Sequence, residues 1–171
     1  NFFAYRVPSA SDPQTQHTTR TPGVIQELGG TTVAIIGGGN ESSVQFVQRE
    51  VAAMEAAGIE VAYSTTDVVS GNTEFTGIVQ RIAESGADSL VTGMDFLQNT
   101  ALSQQLEAAG VELTAILFPG GYDPRVVGLP GIEGAAFGLE FIPFEADPPA
   151  FPAFDEYLPV DAPRNQITYI G

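Results

Sequence analysis

Between Thr31 and Leu117 a single pattern recurs: a short apolar run, a turn, and a stretch of helical periodicity. The clearest copy is TTVAIIGGGNESSVQFVQREVAAMEAAG, Thr31 to Gly58. It reads as a buried strand from Val33 to Ile36, a glycine turn from Gly37 to Gly39, a polar loop from Asn40 to Ser43, and a helix. Val44, Val47, Val51 and Met54 are spaced three, four and three, which is one face of a 3.6-residue period. Gly58 follows where a left-handed residue closes a helix.

Ile59 to Tyr63 reads as the next strand. A polar linker, Ser64 to Thr73, leads to a helix with Phe75, Ile78, Val79 and Ile82 inward, closed by Gly86. Ser89 to Thr92 is a third strand and Gly93 to Phe96 its loop. The helix after it turns Ala101, Leu102, Leu106 and Ala109 inward before Gly110, and Leu113 to Leu117 is a fourth strand. Strand and helix alternating at roughly 25–30 residues per unit mean right-handed βαβ crossovers on a parallel sheet. The expected fold is α/β, a Rossmann-like parallel sheet with helices on both faces.

The flanks are less regular. Phe2 to Val7 alternates like a short strand, and Ser11-Asp12-Pro13 starts a helix toward Leu28. Pro22-Gly23 lies inside that helix and predicts a kink or break. Ala135 to Phe141 alternates as a fifth strand, Asp147-Pro148-Pro149 starts a short helix reaching Tyr157, and Gln166 to Ile170 is strand-like.

Composition excludes several functions. With 21 acids against six basic residues, all of them arginine, the net charge is −15. Nucleic acids and anionic membranes, which need clustered cations, are poor partners. No cysteine and one histidine, His17, leave no thiolate chemistry and no histidine-built metal site. A Ser-His-Asp arrangement would depend on that one distant histidine, so no catalytic residues, metal or cofactor are expected.

In a parallel sheet of this kind ligands bind beyond the carboxyl ends of the strands, where strand order reverses. Three loops should meet there: Gly37 to Ser43, Gly93 to Gln98, and Phe118 to Asp123. They offer hydroxyls, an amide, carboxylates and aromatic faces, and Glu41 and Phe118 are among their side chains. The candidate ligand residues are Asn40, Ser42, Ser43, Asp95, Phe96, Tyr122 and Asp123. The glycine turn and helix start are also expected to present free backbone N–H groups.

Several stretches resemble the type I periplasmic binding proteins that serve branched-chain amino acid ABC transporters. Tyr5-Arg6-Val7-Pro8-Ser9 is similar to the family's strand that crosses between lobes. TTVAIIGGGNESS is similar to the start of its second lobe. Gly71 to Val79 resembles a T-D-F-S-x-x-V/I segment, Gly86 to Val91 a G-x-D-x-V strand, and Leu106 to Gly110 an x-x-A-x-G helix end. The resemblance runs from Phe2 to about Tyr157.

It implies that residues 1–171 are one ligand-binding lobe, the second of two, with hinge crossings at 1–7 and 166–171. The chain would then be a fragment whose other lobe is missing. The implied activity is capture of a small polar solute, an amino acid or related compound, and its delivery to an ABC transporter permease. The implied location is extracytoplasmic, in the periplasm or as a cell-surface lipoprotein. Where the family often has an acid for a ligand ammonium, alignment on Pro119 places Gly120, a departure that counts against a simple amino-acid ligand.

Two other functions compete. A sensory domain of a receptor or regulator would use the same fold. A nucleotide-binding enzyme domain would use Gly37-Gly38-Gly39-Asn40-Glu41-Ser42 as a phosphate loop. That fingerprint lacks its last glycine, and Glu41 beside a pyrophosphate is repulsive.

Overall fold

A computed structural model gives the structure of the chain and describes residues 20–118 and 128–137. Its elements in order are α1 (Arg20–Glu27), β1 (Thr32–Gly38), α2 (Glu41–Ala56), β2 (Glu60–Val68), α3 (Thr76–Ser85), β3 (Ser89–Gly93), α4 (Phe96–Ala108), β4 (Ala115–Phe118) and β5 (Ala136–Phe137). All strand pairs are parallel, in the order β2-β1-β3-β4-β5. The expected α/β fold is therefore present, with β1 inside the sheet.

Alternation along β1 explains the two layers. Val33 and Ile35 face α1 and α2, joining Ile25, Val47, Met54 and Val91. Ala34 and Ile36 face α3 and α4, joining Val79, Ile82, Leu90, Leu102 and Phe118. All four β1 side chains are fully buried, so β1 is apolar on both faces, as a covered parallel strand must be.

Several boundaries differ from expectation. The helix α1 runs through Pro22-Gly23 without the expected break over its described residues, Arg20–Glu27. The polar stretch after the glycines is not a loop but the Asn40 cap and first turn of α2. Much of the polar linker is strand: β2 extends to Val68, with Tyr63, Ser64 and Thr65 aligned with Ala34, Ile35 and Ile36. Ala109, expected inward, is an exposed C-cap of α4. The fourth strand begins at Ala115, two residues later than expected. Of the expected fifth strand, Ala136–Phe137 is described. His17, the first strand, the late helix and the last strand lie outside the described residues.

At the amino ends of the strands Asp88 is a clamp. Its carboxylate accepts from Thr31 N–H (3.0 Å), Thr32 N–H (3.0 Å), Thr31 Oγ1 (2.6 Å) and Ser89 Oγ (2.7 Å). Its backbone carbonyl accepts from Thr114 N–H at 2.7 Å, so one residue ties the starts of β1, β3 and β4. Burial pushes its pKa up, but the Thr31 hydroxyl, the Ser89 hydroxyl and the two backbone donors outweigh it and hold the carboxyl at about 2. A depressed folded value means the contribution is complete above the unfolded value near 3.8 and lost as pH falls toward 2. Asp88→Asn is expected to cost about 1–2 kcal/mol at pH 7. In urea melts that deficit should shrink between pH 4 and pH 2.

Glu50 has the opposite sign. It is buried on α2, with one carboxylate oxygen unpartnered. Desolvation raises its pKa, against the weaker pull of the Thr21 hydrogen bond and Arg49. A raised folded value penalises the ionised form, so stability falls as pH rises above its ordinary 4.5. Glu50→Gln should raise the Tm at pH 7 to 8, and the gain should vanish near pH 4.

Candidate functional site

Strand order reverses between β1 and β3: the chain leaves β1 for β2 on one side and enters β3 on the other. At their carboxyl ends Gly37 and Gly93 stand opposite each other in register. The first two expected loops therefore meet at one rim.

Ser43 joins them. Its side chain is buried (6 % exposed), and its Oγ accepts from Gly38 N–H at 2.7 Å and donates to the Gly93 carbonyl at 2.8 Å. Asn40 caps α2: its Oδ1 accepts from Ser43 N–H at 2.9 Å and from Ser42 Oγ at 2.7 Å. Gly39 N–H donates to the Val68 carbonyl at 3.2 Å. The N–H groups of Gly38, Gly39 and Ser43 are thus engaged within the protein. This corrects the expectation of a free N–H cradle, at least for those three groups.

The β3–α4 turn is built the same way. Exposed Asp95 caps α4, accepting from Gln98 N–H at 2.9 Å. Beneath it Thr92 Oγ1 donates to Asn99 Oδ1 at 2.7 Å, and Asn99 Nδ2 donates to the Met94 carbonyl at 3.2 Å. Thr92 and Asn99 are both buried. Phe96 is half-buried at the start of α4. Phe46 of α2 packs over Gly93, where an added Cβ would strike its ring.

Two glutamines of α4 fasten the loop after β2. Gln98 Nε2 donates to the Val69 carbonyl at 2.9 Å and, more weakly, to that of Asn72 at 3.4 Å. Gln105 accepts from Phe75 N–H at 2.8 Å and donates to the Thr73 carbonyl at 2.7 Å.

The candidates therefore divide. Ser42, Asp95 and Phe96 reach the rim surface, and so does exposed Asn40, whose Oδ1 caps α2 while Ser43 is buried and spends its hydroxyl on the two turns. Phe118 is no exposed face: it is 1 % exposed, with its ring 5.7 Å from that of Phe137. Tyr122, Asp123 and Gly120 lie outside the described residues. Gln98, Asn99 and Phe46 were not anticipated. The Asp95-x-x-Gln98 spacing, a capping-box pattern, was the available signal for Gln98. Segments 37–43, 69–75 and 93–98 carry Glu41, Glu74 and Asp95 and no arginine.

A cavity of about 880 Å³ lies between α4 and residues 128–133, lined by Leu106, Val111, Leu113, Pro130 and Ile132. It sits toward the carboxyl end of α4, the end opposite Asp95.

The profile described as "Periplasmic binding protein" matches residues 1–171. The chain belongs to the periplasmic binding protein family. A putative branched-chain amino acid ABC transporter protein from Rhodospirillum rubrum is 22 % identical, with a TM-score of 0.68 over 81 % of this chain and 40 % of its own. A leucine-binding protein from Thermotoga maritima is 17 % identical, with a TM-score of 0.68 over 85 % and 41 %. A solute-binding protein from R. palustris in complex with 4-hydroxybenzoate is 25 % identical, with a TM-score of 0.51 over 60 % and 28 %. Comparison with curated proteins finds no match. This periplasmic binding protein chain spans about 40 % of the length of the first and second of these structures. Members of the family are solute-binding proteins, and the parallel α/β sheet seen here is theirs.

Proposed function

We propose that this chain is the second lobe of an extracytoplasmic solute-binding protein, capturing a small polar solute for an ABC transporter permease. The solute, an amino acid or a related small acid, lies between this rim and a facing lobe, and hinge motion closes the two around it. No reaction is carried out. Residues 1–7 and 166–171 are assigned as the hinge crossings.

The observation that carries this reading is the meeting of the β1 and β3 turns at the reversal of strand order, joined through Ser43. A rim braced in advance spends little binding energy on ordering its own loops. Ser42, Asp95 and Phe96, with Tyr122 and Asp123 of the third loop, supply the contacts. Exposed Asn40 adds its side-chain amide to these contacts, and buried Ser43 fixes the rim's shape. A nucleotide-binding enzyme is disfavoured because Gly38 and Gly39 give their N–H groups to Ser43 and Val68.

The test is a thermal-shift screen of amino acids, small amides, carboxylates and aromatic acids, followed by calorimetric titration of the hits. A solute from these classes should bind, and Asp95→Asn should weaken it about tenfold, the scale of one charged hydrogen bond. One wall of a cleft binds weakly by itself. Tight binding by residues 1–171 alone would count against a shared cleft, and micromolar binding of NAD or ATP would restore the enzyme reading.

A further inference from the structure

Among the described residues the exposed large apolar side chains are Leu28, Val69 and Leu97. Val69 and Leu97 are the two most exposed, at 72 % and 66 %. Both belong to the rim: Val69 follows the carboxyl end of β2, and Leu97 lies in the first turn of α4. They flank one contact, since Gln98, next to Leu97, holds the Val69 carbonyl.

Gln98 is 6 % exposed, so its amide is buried in order to hold this loop. The same Val69 carbonyl accepts from Asn72 N–H at 3.0 Å, closing the turn from within. Gln105 fastens the loop's other end at Thr73 and Phe75. An apolar pair on a mobile loop would carry little meaning. Here two buried or half-buried amides keep it facing solvent.

Resting on the two-lobed reading above, we propose that Val69 and Leu97 form an apolar closure contact for the facing lobe. Val69 follows β2 and Leu97 opens α4 after β3, so the two come from either flank of β1 at the carboxyl-end rim. The solved relatives extend to about two and a half times the length matched here, which leaves room for a facing body. The contact acts only when the lobes meet, so it sets how long a solute is retained and leaves the ligand residues untouched.

The test uses the full-length gene product and the Val69→Ser/Leu97→Ser double variant, with L-leucine and 4-hydroxybenzoate as the probes. Solute release is followed by stopped-flow and the closed fraction by solution scattering. The variant is expected to keep the wild-type Tm, to release solute about tenfold faster, and to populate the closed form less. Release and closure at wild-type levels overturn the closure contact alone. A wild-type protein that neither binds nor closes with these probes or with any solute of the screened classes overturns the contact and the solute-capture reading together. Wild-type self-association that disappears in the variant, with release unchanged, assigns the pair to a second copy and also overturns the proposal.

Discussion

Gly37→Ala is expected to destabilise the protein by about 2–3 kcal/mol and to abolish measurable solute binding. A Cβ at Gly37 would come within 2.5 Å of Val47 Cγ2, 2.9 Å of Ser43 Oγ and 3.3 Å of the Ser43 carbonyl. Val47 belongs to the closed core under α2, and the Ser43 carbonyl is helix backbone, so neither can simply rotate away. The relief is for α2 to lift from the sheet, which takes Ser43 from Gly38 and Gly93 and separates the two turns. Gly39→Ala is the control. Its added Cβ would meet only the Thr66 carbonyl at 3.5 Å, an ordinary contact. Urea denaturation of both variants should show the first far less stable and the second within about 0.5 kcal/mol of the parent.

Asn99→Leu is expected to cost about 2–3 kcal/mol, although leucine is close to asparagine in size. The change leaves the Thr92 hydroxyl and the Met94 carbonyl without their partner in a buried setting. An unsatisfied buried group costs more than a hydrogen bond contributes, so the second partner decides the outcome. Adding Thr92→Val removes one orphan and should recover part of the loss; a double variant no better than the single would show that the hydroxyl does not matter. Because the network supports the turn bearing Asp95, affinity should fall in the single variant as well.

The central architecture was legible because it rests on patterns that tertiary contacts reinforce. Val33 to Ile36 is apolar on consecutive positions, which a strand covered on both faces requires. Ile78, Val79 and Ile82 with Gly86 mark a helix and its end without ambiguity. The extension of β2 was hidden because Ser64, Thr65, Thr66 and Asp67 read as linker, and among the described strands β2 pairs only with β1.

The site was legible in place more than in role. Chain order located the turns at Gly37 and Gly93, but nothing local distinguishes a hydroxyl that meets a solute from one that braces a turn. Ser42 and Ser43 are neighbours, and only the second is buried against a carbonyl 50 residues away. Asn40 and Asp95 are the usual cap types, so their first duty is to α2 and α4. Gln98 and Gln105 act on a loop about 30 residues away, a relation that requires the fold.

The account depends on solute binding at the carboxyl-end rim of this sheet, and amide chemical-shift mapping tests that most directly. Labelled protein is titrated with the best solute from the screen, to millimolar concentration if needed. The expected shifts cluster at Gly37 to Ser42 and Gly93 to Leu97, while Asp88 and the amino ends of the strands stay still. Shifts centred instead on the cavity near Val111, Leu113 and Ile132, with the rim unmoved, would contradict the account.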